Sequence, residues 1–317
     1  MPSYSGIWTL SQQFQAVGQG LWPVNGPFGE TFAIFALGCT GACYSTTREK
    51  YTYSGDVVSA AGAATVASSW GSAAGNGTVG IFALGTVTGP TRSTTRDKYT
   101  YSGDVVSAGG AATAASAYGS AAGNSTTGIF ALGCTGSIST TRNKYTYSGC
   151  VVAAGGAATA ESRYGSAAGN STVGIFALGQ ATGASRSSTR NKYTYAGDVV
   201  SAGGAATLGS RYGSAAGNST VGIFALGCAS GCLNIRNKYT YSGCVVAAGG
   251  AASVCGAYGS AAGNSTVGIF AIGYPASGVR EKYTYSNCVV AAGGAAITSP
   301  ARGQGSAASN GTSGVNI

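Results

Sequence analysis

The chain has no histidine, one methionine, six prolines and only 8% charged residues in 317 positions. The absence of histidine removes the commonest general base and the commonest metal ligand. A Ser-His-Asp or Cys-His arrangement is impossible, and copper and catalytic zinc sites of the usual kinds are disfavoured. No apolar stretch reaches the roughly 18 residues that span a bilayer, so no membrane association is expected. The opening MPSYSGIWTL lacks the basic start and apolar core of a secretory signal. The 55 glycines follow no Gly-X-Y period, which excludes collagen. No glycine precedes a Gly-Lys-Ser/Thr phosphate loop. Little charge beside 10% aromatic residues argues against disorder. No cofactor is expected.

What is present is a repeat of about 47 residues. The segment Ile-Phe-Ala-Leu/Ile-Gly begins at Ile34, Ile81, Ile129, Ile175, Ile223 and Ile269. A segment of the type Lys-Tyr-Thr-Tyr-Ser-Gly begins at Lys50, Lys98, Lys144, Lys192, Lys238 and Lys282, the six lysines of the chain. The segment Tyr-Gly-Ser-Ala-Ala-Gly-Asn-Ser-Thr, or a variant of it, begins at Trp70, Tyr118, Tyr164, Tyr212 and Tyr258, with a worn copy at Gln304.

Each repeat reads as four short strands: YGSAAG, TVGIFALG, KYTYSG and DVVSAG. Period-two alternation in IFAL is apolar on both sides, so both faces of the sheet are buried. Four-stranded units of this length predict a β-propeller. The strand of Ser, Ala and Gly belongs at the crowded axis. The turns Gly-Asn-Ser-Thr and Ser-Gly-Asp supply residues suited to positive φ. The array opens on a second strand, Thr31 to Gly38, and ends on an unpaired first strand, Gly303 to Asn310. The C-terminal strand is therefore expected to complete the first blade, leaving no free edge. The predicted fold class is all-β, a six-bladed propeller of four-stranded blades with a short N-terminal helical segment.

The net charge of +9 is spread over the repeats, with each lysine following an arginine two residues earlier: Arg48, Arg96, Arg142, Arg190, Arg236 and Arg280. Even spacing around an array predicts scaffold contacts to the next blade rather than a groove for phosphates, so no nucleic acid is expected. Ligand binding by this ring is the alternative. The two tyrosines of each Tyr-Thr-Tyr share one strand face, suited either to packing between blades or to stacking a glycan. The acids Glu30, Glu49, Asp56, Asp97, Asp104, Glu161, Asp198 and Glu281 do not pair as a glycosidase requires. Asp56, Asp104 and Asp198 occupy one turn position, which is Cys150, Cys244 and Cys288 in the other repeats. A turn role is expected there, and no enzymatic activity.

Asn76, Asn124, Asn170, Asn218, Asn264 and Asn310 each stand in Asn-x-Ser/Thr, which recurrence at one hairpin ascribes to turn geometry rather than glycosylation. The nine cysteines are an odd number. Cys39/Cys43 and Cys228/Cys232 are each CxxxC in one loop; reduced thiols are expected without a secretory signal, and local disulfides are the alternative.

The layout of residues 31 to 310, a strand ending in Gly, a loop, a Tyr strand and a short strand before an aromatic-Gly start, resembles the Kelch repeat, a propeller family. The Kelch Gly-Gly doublet is Leu84-Gly85 here, and the Kelch tryptophan after the Tyr strand is missing. The resemblance implies the architecture and no particular partner.

Residues 1–30 stand outside the repeat, giving two units, 1–30 and 31–317. Ile7, Leu10, Phe14, Val17 and Leu21 recur at spacings of 3 and 4, predicting a helix of about three turns ended by Pro23. Alone it is too short to be stable, so it docks on its own propeller or serves as an anchoring or oligomerisation segment, with Trp8 and Trp22 beside the stripe. The run Gly6-Ile7-Trp8-Thr9-Leu10-Ser11-Gln12-Gln13-Phe14-Gln15-Ala16, closing at Leu21-Trp22-Pro23, is similar to a segment of bacteriophage tail-fibre and other virion structural proteins. That resemblance implies a virion structural or host-recognition role, other virion proteins as partners of the N-terminal segment, and a virion location. A secreted or cell-surface lectin is the alternative.

The repeats differ most between the second and third strands. These loops carry Cys39, Tyr44, Thr86, Arg92, Cys134, Gln180, Arg186, Cys228, Leu233 and Tyr274. All six are expected on one propeller face, where binding to a host-surface glycan or a neighbouring virion protein is usually placed. Drift in unconstrained loops is the other reading. A homo-oligomer is compatible with either.

Overall fold

The computed structural model describes residues 31–40, 44–89, 91–275, 278–295 and 302–310. The predicted N-terminal helix, with Ile7, Trp8, Leu10, Phe14, Val17, Leu21 and Trp22, lies outside the described residues.

Six antiparallel sheets of four strands make a six-bladed β-propeller. Blade 2 shows the pattern: Ser72–Gly75, Val79–Ala83, Arg96–Thr100 and Val105–Gly109, each paired with the next. Blades 3 to 6 repeat it. Blade 1 takes its first strand, Ser306–Ser309, from the far end of the chain, and pairs it with Phe32–Ala36 in the register Ala33↔Ser309 to Ala36↔Ser306. The expected closure is therefore present. The third strand begins two residues earlier than its lysine and ends before the second tyrosine of Tyr-Thr-Tyr, because that tyrosine already bends into the turn with helical φ and ψ.

Strand composition follows distance from the axis. At Gly128 a Cβ would lie 2.9 Å from the Tyr147 hydroxyl and 3.1 Å from Ala74 of the neighbouring blade, so blades meet there only with Gly and Ala. The second strand is buried on both faces, as in Val79–Ala83. The fourth strand is the exposed rim, where Val57, Val105 and Val151 are more than half exposed. Apolar packing therefore lies in slabs between blades rather than in one central core. One slab joins Ala74, Val79 and Ile81 of blade 2 to Ala121, Phe130, Tyr145 and Tyr147 of blade 3. Both tyrosines of the Tyr-Thr-Tyr pair are buried in these slabs, which takes up the rings that glycan stacking would have needed.

The turns divide. In the turn after the third strand, Gly103 and Asp104 have φ of 79° and 53°, as the sequence implied. The turn after the first strand works otherwise: its asparagine does not take positive φ. Instead Asn76 Oδ1 accepts the amides of Thr78 and Val79, each at 2.9 Å, which closes the turn through the side chain. Its Nδ2 donates to the Ser125 carbonyl of the next blade at 2.9 Å. Asn124, Asn170 and Asn218 make the same bridge. The recurring Asn-x-Ser/Thr is thus a joint between blades.

Candidate functional site

Strands alternate in direction, so the loop after the second strand and the connection into the next blade leave from one end of every sheet. The two are stitched together there. Ser69 pairs with Thr86, Arg163 with Gln180 and Arg211 with Cys228, residues from those two segments of one blade. One face therefore carries all the variable loops, as expected.

At the centre of that face stand Trp70, Tyr118, Tyr164, Tyr212, Tyr258 and Gln304, one before each inner strand. Their amides and carbonyls form a closed ring: Tyr118 donates to Trp70, Tyr164 to Tyr118, Tyr212 to Tyr164, Tyr258 to Tyr212, Gln304 to Tyr258 and Trp70 to Gln304, at 2.7–3.1 Å. Pointing each N–H around the axis requires the left-handed conformation, and all six have φ between 59° and 65°. For bulky residues this is strained, of order 1 kcal/mol or more each; Gly or Asn would take it more cheaply. The hydrogen-bond ring explains the backbone but not the aromatic side chains, and strain gathered at one face is a pointer to use.

The rings form a rosette with Trp70 against the four tyrosines, at centroid distances of 5.0, 5.5, 6.2 and 5.4 Å. Tyr212 and Tyr258 approach to 4.2 Å. All are half-buried around a shallow opening on the axis. Burial pushes the Tyr164 and Tyr258 hydroxyls up to about 12, so both remain donors near neutral pH. Arg163 and Arg211 lie over their neighbouring tyrosines, 4.9 Å from the Tyr164 ring and 4.7 Å from the Tyr212 ring. Sequence reasoning took these aromatics as strand residues and missed them. The signal was available: a bulky residue before Gly in five repeats, where a strand end has no need of one.

The candidate loop residues fall into two groups. Thr86, Cys134 and Gln180 are buried and serve the stitching; Gln180 Oε1 accepts Arg211 Nη1 at 2.9 Å. Tyr44 donates its hydroxyl to the Gly89 carbonyl in the next loop. Cys39 contributes backbone pairing with Gly303. Arg92, Cys228 and Leu233 are partly buried, Arg186 is exposed and Tyr274 is 68% exposed. Seven cysteines, Cys134, Cys150, Cys228, Cys232, Cys244, Cys255 and Cys288, are free thiols. Among the described residues no group of His, Cys, Asp and Glu could hold a metal ion, and no helix is long and apolar enough to cross a membrane.

The repeated cations are used between blades. Each buried arginine reaches the residue following the arginine of the next blade: Asp97, Asn143, Asn191, Asn237, Glu281 and, across the seam, Glu49. The guanidinium also stacks on the next blade's phenylalanine, as Arg96 does on Phe130 at 4.6 Å. With amide partners, desolvation pushes Arg96, Arg142 and Arg190 down to about 10. Lys50, Lys144 and Lys282 pair with Asp104, Asp198 and Asp56 at 3.7, 3.0 and 3.0 Å. Cysteine takes the aspartate position in the other three blades, and Lys238 Nζ lies 3.9 Å from Cys288 Sγ.

Asp56 gives a pH test of this outer ring. Desolvation acts to raise it, but hydrogen bonds from Tyr51 and Lys282, with the lysine charge, outweigh that and hold it below its ordinary value. A carboxylate lowered in the folded state adds stability above its unfolded pKa of about 3.9 and loses it as pH falls through the lower folded value. The melting temperature should therefore drop as pH falls below about 4, and the drop should be shallower in Lys282→Met. Parallel curves from thermal melts between pH 3 and 6 would show that the pair adds nothing.

Compared with known protein families and with curated proteins, the chain matches no family model and no curated sequence.

Proposed function

We propose that this chain is a non-enzymatic recognition module whose ligand meets the loop-bearing face at the aromatic rosette. The observation that carries the reading is the convergence there of six strained residues, five of them aromatic, with the segments in which the repeats differ most. The six repeated arginines, with Lys50, Lys144, Lys238 and Lys282 and with Asn76, Asn124, Asn170 and Asn218, are engaged between blades. A rigid ring that displays variable loops around half-buried aromatics is suited to binding.

The setting we favour is a bacteriophage particle, as part of a tail fibre, baseplate or decoration appendage attached through residues 1–30. The support is the similarity of residues 6–23 to segments of virion structural proteins, together with a Kelch-like repeat layout. A secreted or cell-surface lectin would use the same face. Density-gradient purification of particles separates the two: the chain should band with the particles, and an antibody against the loop face should block their adsorption. A chain that stays in the soluble fraction would sink the virion setting, and adsorption unaffected by the antibody would sink the recognition role.

A further inference from the structure

Charge is not distributed evenly over the two faces. Of eleven arginines, six form the buried ring between blades, and the other five, Arg92, Arg163, Arg186, Arg211 and Arg302, all belong to the loops and connections of the rosette face. Three of these, Arg163, Arg186 and Arg211, occupy one sector, blades 4 and 5. Gln180 ties them together: it pairs by backbone with Arg163 and Arg186 and accepts a hydrogen bond from Arg211. Arg186 and Arg211 both lie near the Cys228 thiol, where their charge opposes the upward push of burial.

No carboxylate pairs with Arg92, Arg163, Arg186 or Arg211 among the described residues. The one described acid on the face, Glu161, accepts a hydrogen bond from Thr182 at 2.8 Å. Each ring arginine meets an acid or amide of the next blade. Arg163, Arg186 and the Gln180-bound Arg211 meet no carboxylate, and Arg163 and Arg211 lie over the half-buried Tyr164 and Tyr212.

Guanidinium binds carboxylate in a planar, two-point fashion, and an aromatic face accepts the apolar side of a pyranose ring. We infer that the face binds an acidic glycan, with a sugar carboxylate on Arg163, Arg186 and Arg211 and the sugar ring against Tyr164 and Tyr212. Single-stranded nucleic acid would also use arginine and aromatics, but it requires a continuous basic track for successive phosphates. Three of the five arginines of this face instead crowd into one sector.

This inference rests on the recognition reading above, and its test is built to fail separately. The full chain is titrated calorimetrically with oligogalacturonate, oligoglucuronate and oligosialate, each beside its carboxyl-reduced form, and with an oligothymidylate. At least one acidic oligosaccharide should bind, at least ten-fold tighter than its reduced form, and weaken as salt rises. Arg163→Gln/Arg211→Gln should remove that preference while the chain stays folded by circular dichroism. If that variant unfolds, the wild-type comparison of acidic and reduced sugars still decides. Equal affinity for reduced sugars, no binding to any of the three acids, or tighter binding of oligothymidylate would overturn the inference. Should the loop-face antibody block adsorption while carboxyl reduction changes nothing, recognition stands and only the acidic-sugar assignment falls.

Discussion

Deleting residues 302–317 is expected to lower the melting temperature by about 10 °C or more and to add larger species to the elution profile. The strand Ser306–Ser309 is buried along its whole length, with Ala307 and Ala308 at 1% and 0% exposure. It fills the axis side of blade 1 and packs Ala308 against Ala73 and Phe82 of blade 2. Its loss removes the pairing with Phe32–Ala36, the bond from Tyr53 to Ser309 at 3.0 Å, and the Gln304 link of the rosette ring. What remains is an open array ending in an apolar strand with unpaired backbone groups, a template for pairing with another copy. Calorimetry and size-exclusion chromatography read both effects. A synthetic peptide of residues 302–317, added in trans, should restore the melt. An unchanged melt and elution would mean that closure contributes nothing, and the architecture would have to be held by neighbouring blades alone.

Closure was legible in the sequence because it needs only the order of repeat segments: an array that begins on a second strand and ends on a first one has one economical solution. Blade layering was legible for a similar reason, since Gly and Ala in one segment and apolar residues on both faces of another fix their distance from the axis. The arginine contacts were legible in kind, as bonds to the next blade, but not in partner. That partner is the residue after each arginine, and its variation among Glu, Asp and Asn conceals one geometric role. Of the rosette only a bulky residue before Gly in five repeats was legible; the conformation was not, because its cause is a backbone ring around the axis. Left-handed φ at Trp70 or Tyr118 is a consequence of six blades meeting, and no local preference of tryptophan or tyrosine announces it. The asparagine turn misled for the opposite reason: Asn is compatible with positive φ, but its side chain is more useful here as an acceptor for two amides and a donor to the next blade.

The molecule contains its own control for the second large effect. Arg48 Nη2 meets Asp97 at 2.7 Å with both side chains fully buried, and Asp97 also receives the Thr65 amide at 3.0 Å and the Thr65 hydroxyl at 2.6 Å. At the equivalent place in blade 3, Asn143 accepts Arg96 at 3.0 Å and the Thr113 amide at 3.1 Å, so an amide suffices for the geometry. Arg48→Met should therefore cost about 3–5 kcal/mol, mainly because it leaves the Asp97 carboxylate buried with one cation fewer. Asp97→Asn should cost about 1 kcal/mol, since it reproduces the blade 3 arrangement, where the guanidinium still stacks on a phenylalanine at 4.6 Å. The double variant Arg48→Met/Asp97→Asn should be more stable than Arg48→Met alone, because the amide no longer carries an uncompensated charge. Denaturant melts of the four proteins give the coupling directly. Additive losses would mean that the carboxylate is solvated or paired elsewhere, and that the ring of arginines holds the blades by stacking and packing rather than by charge.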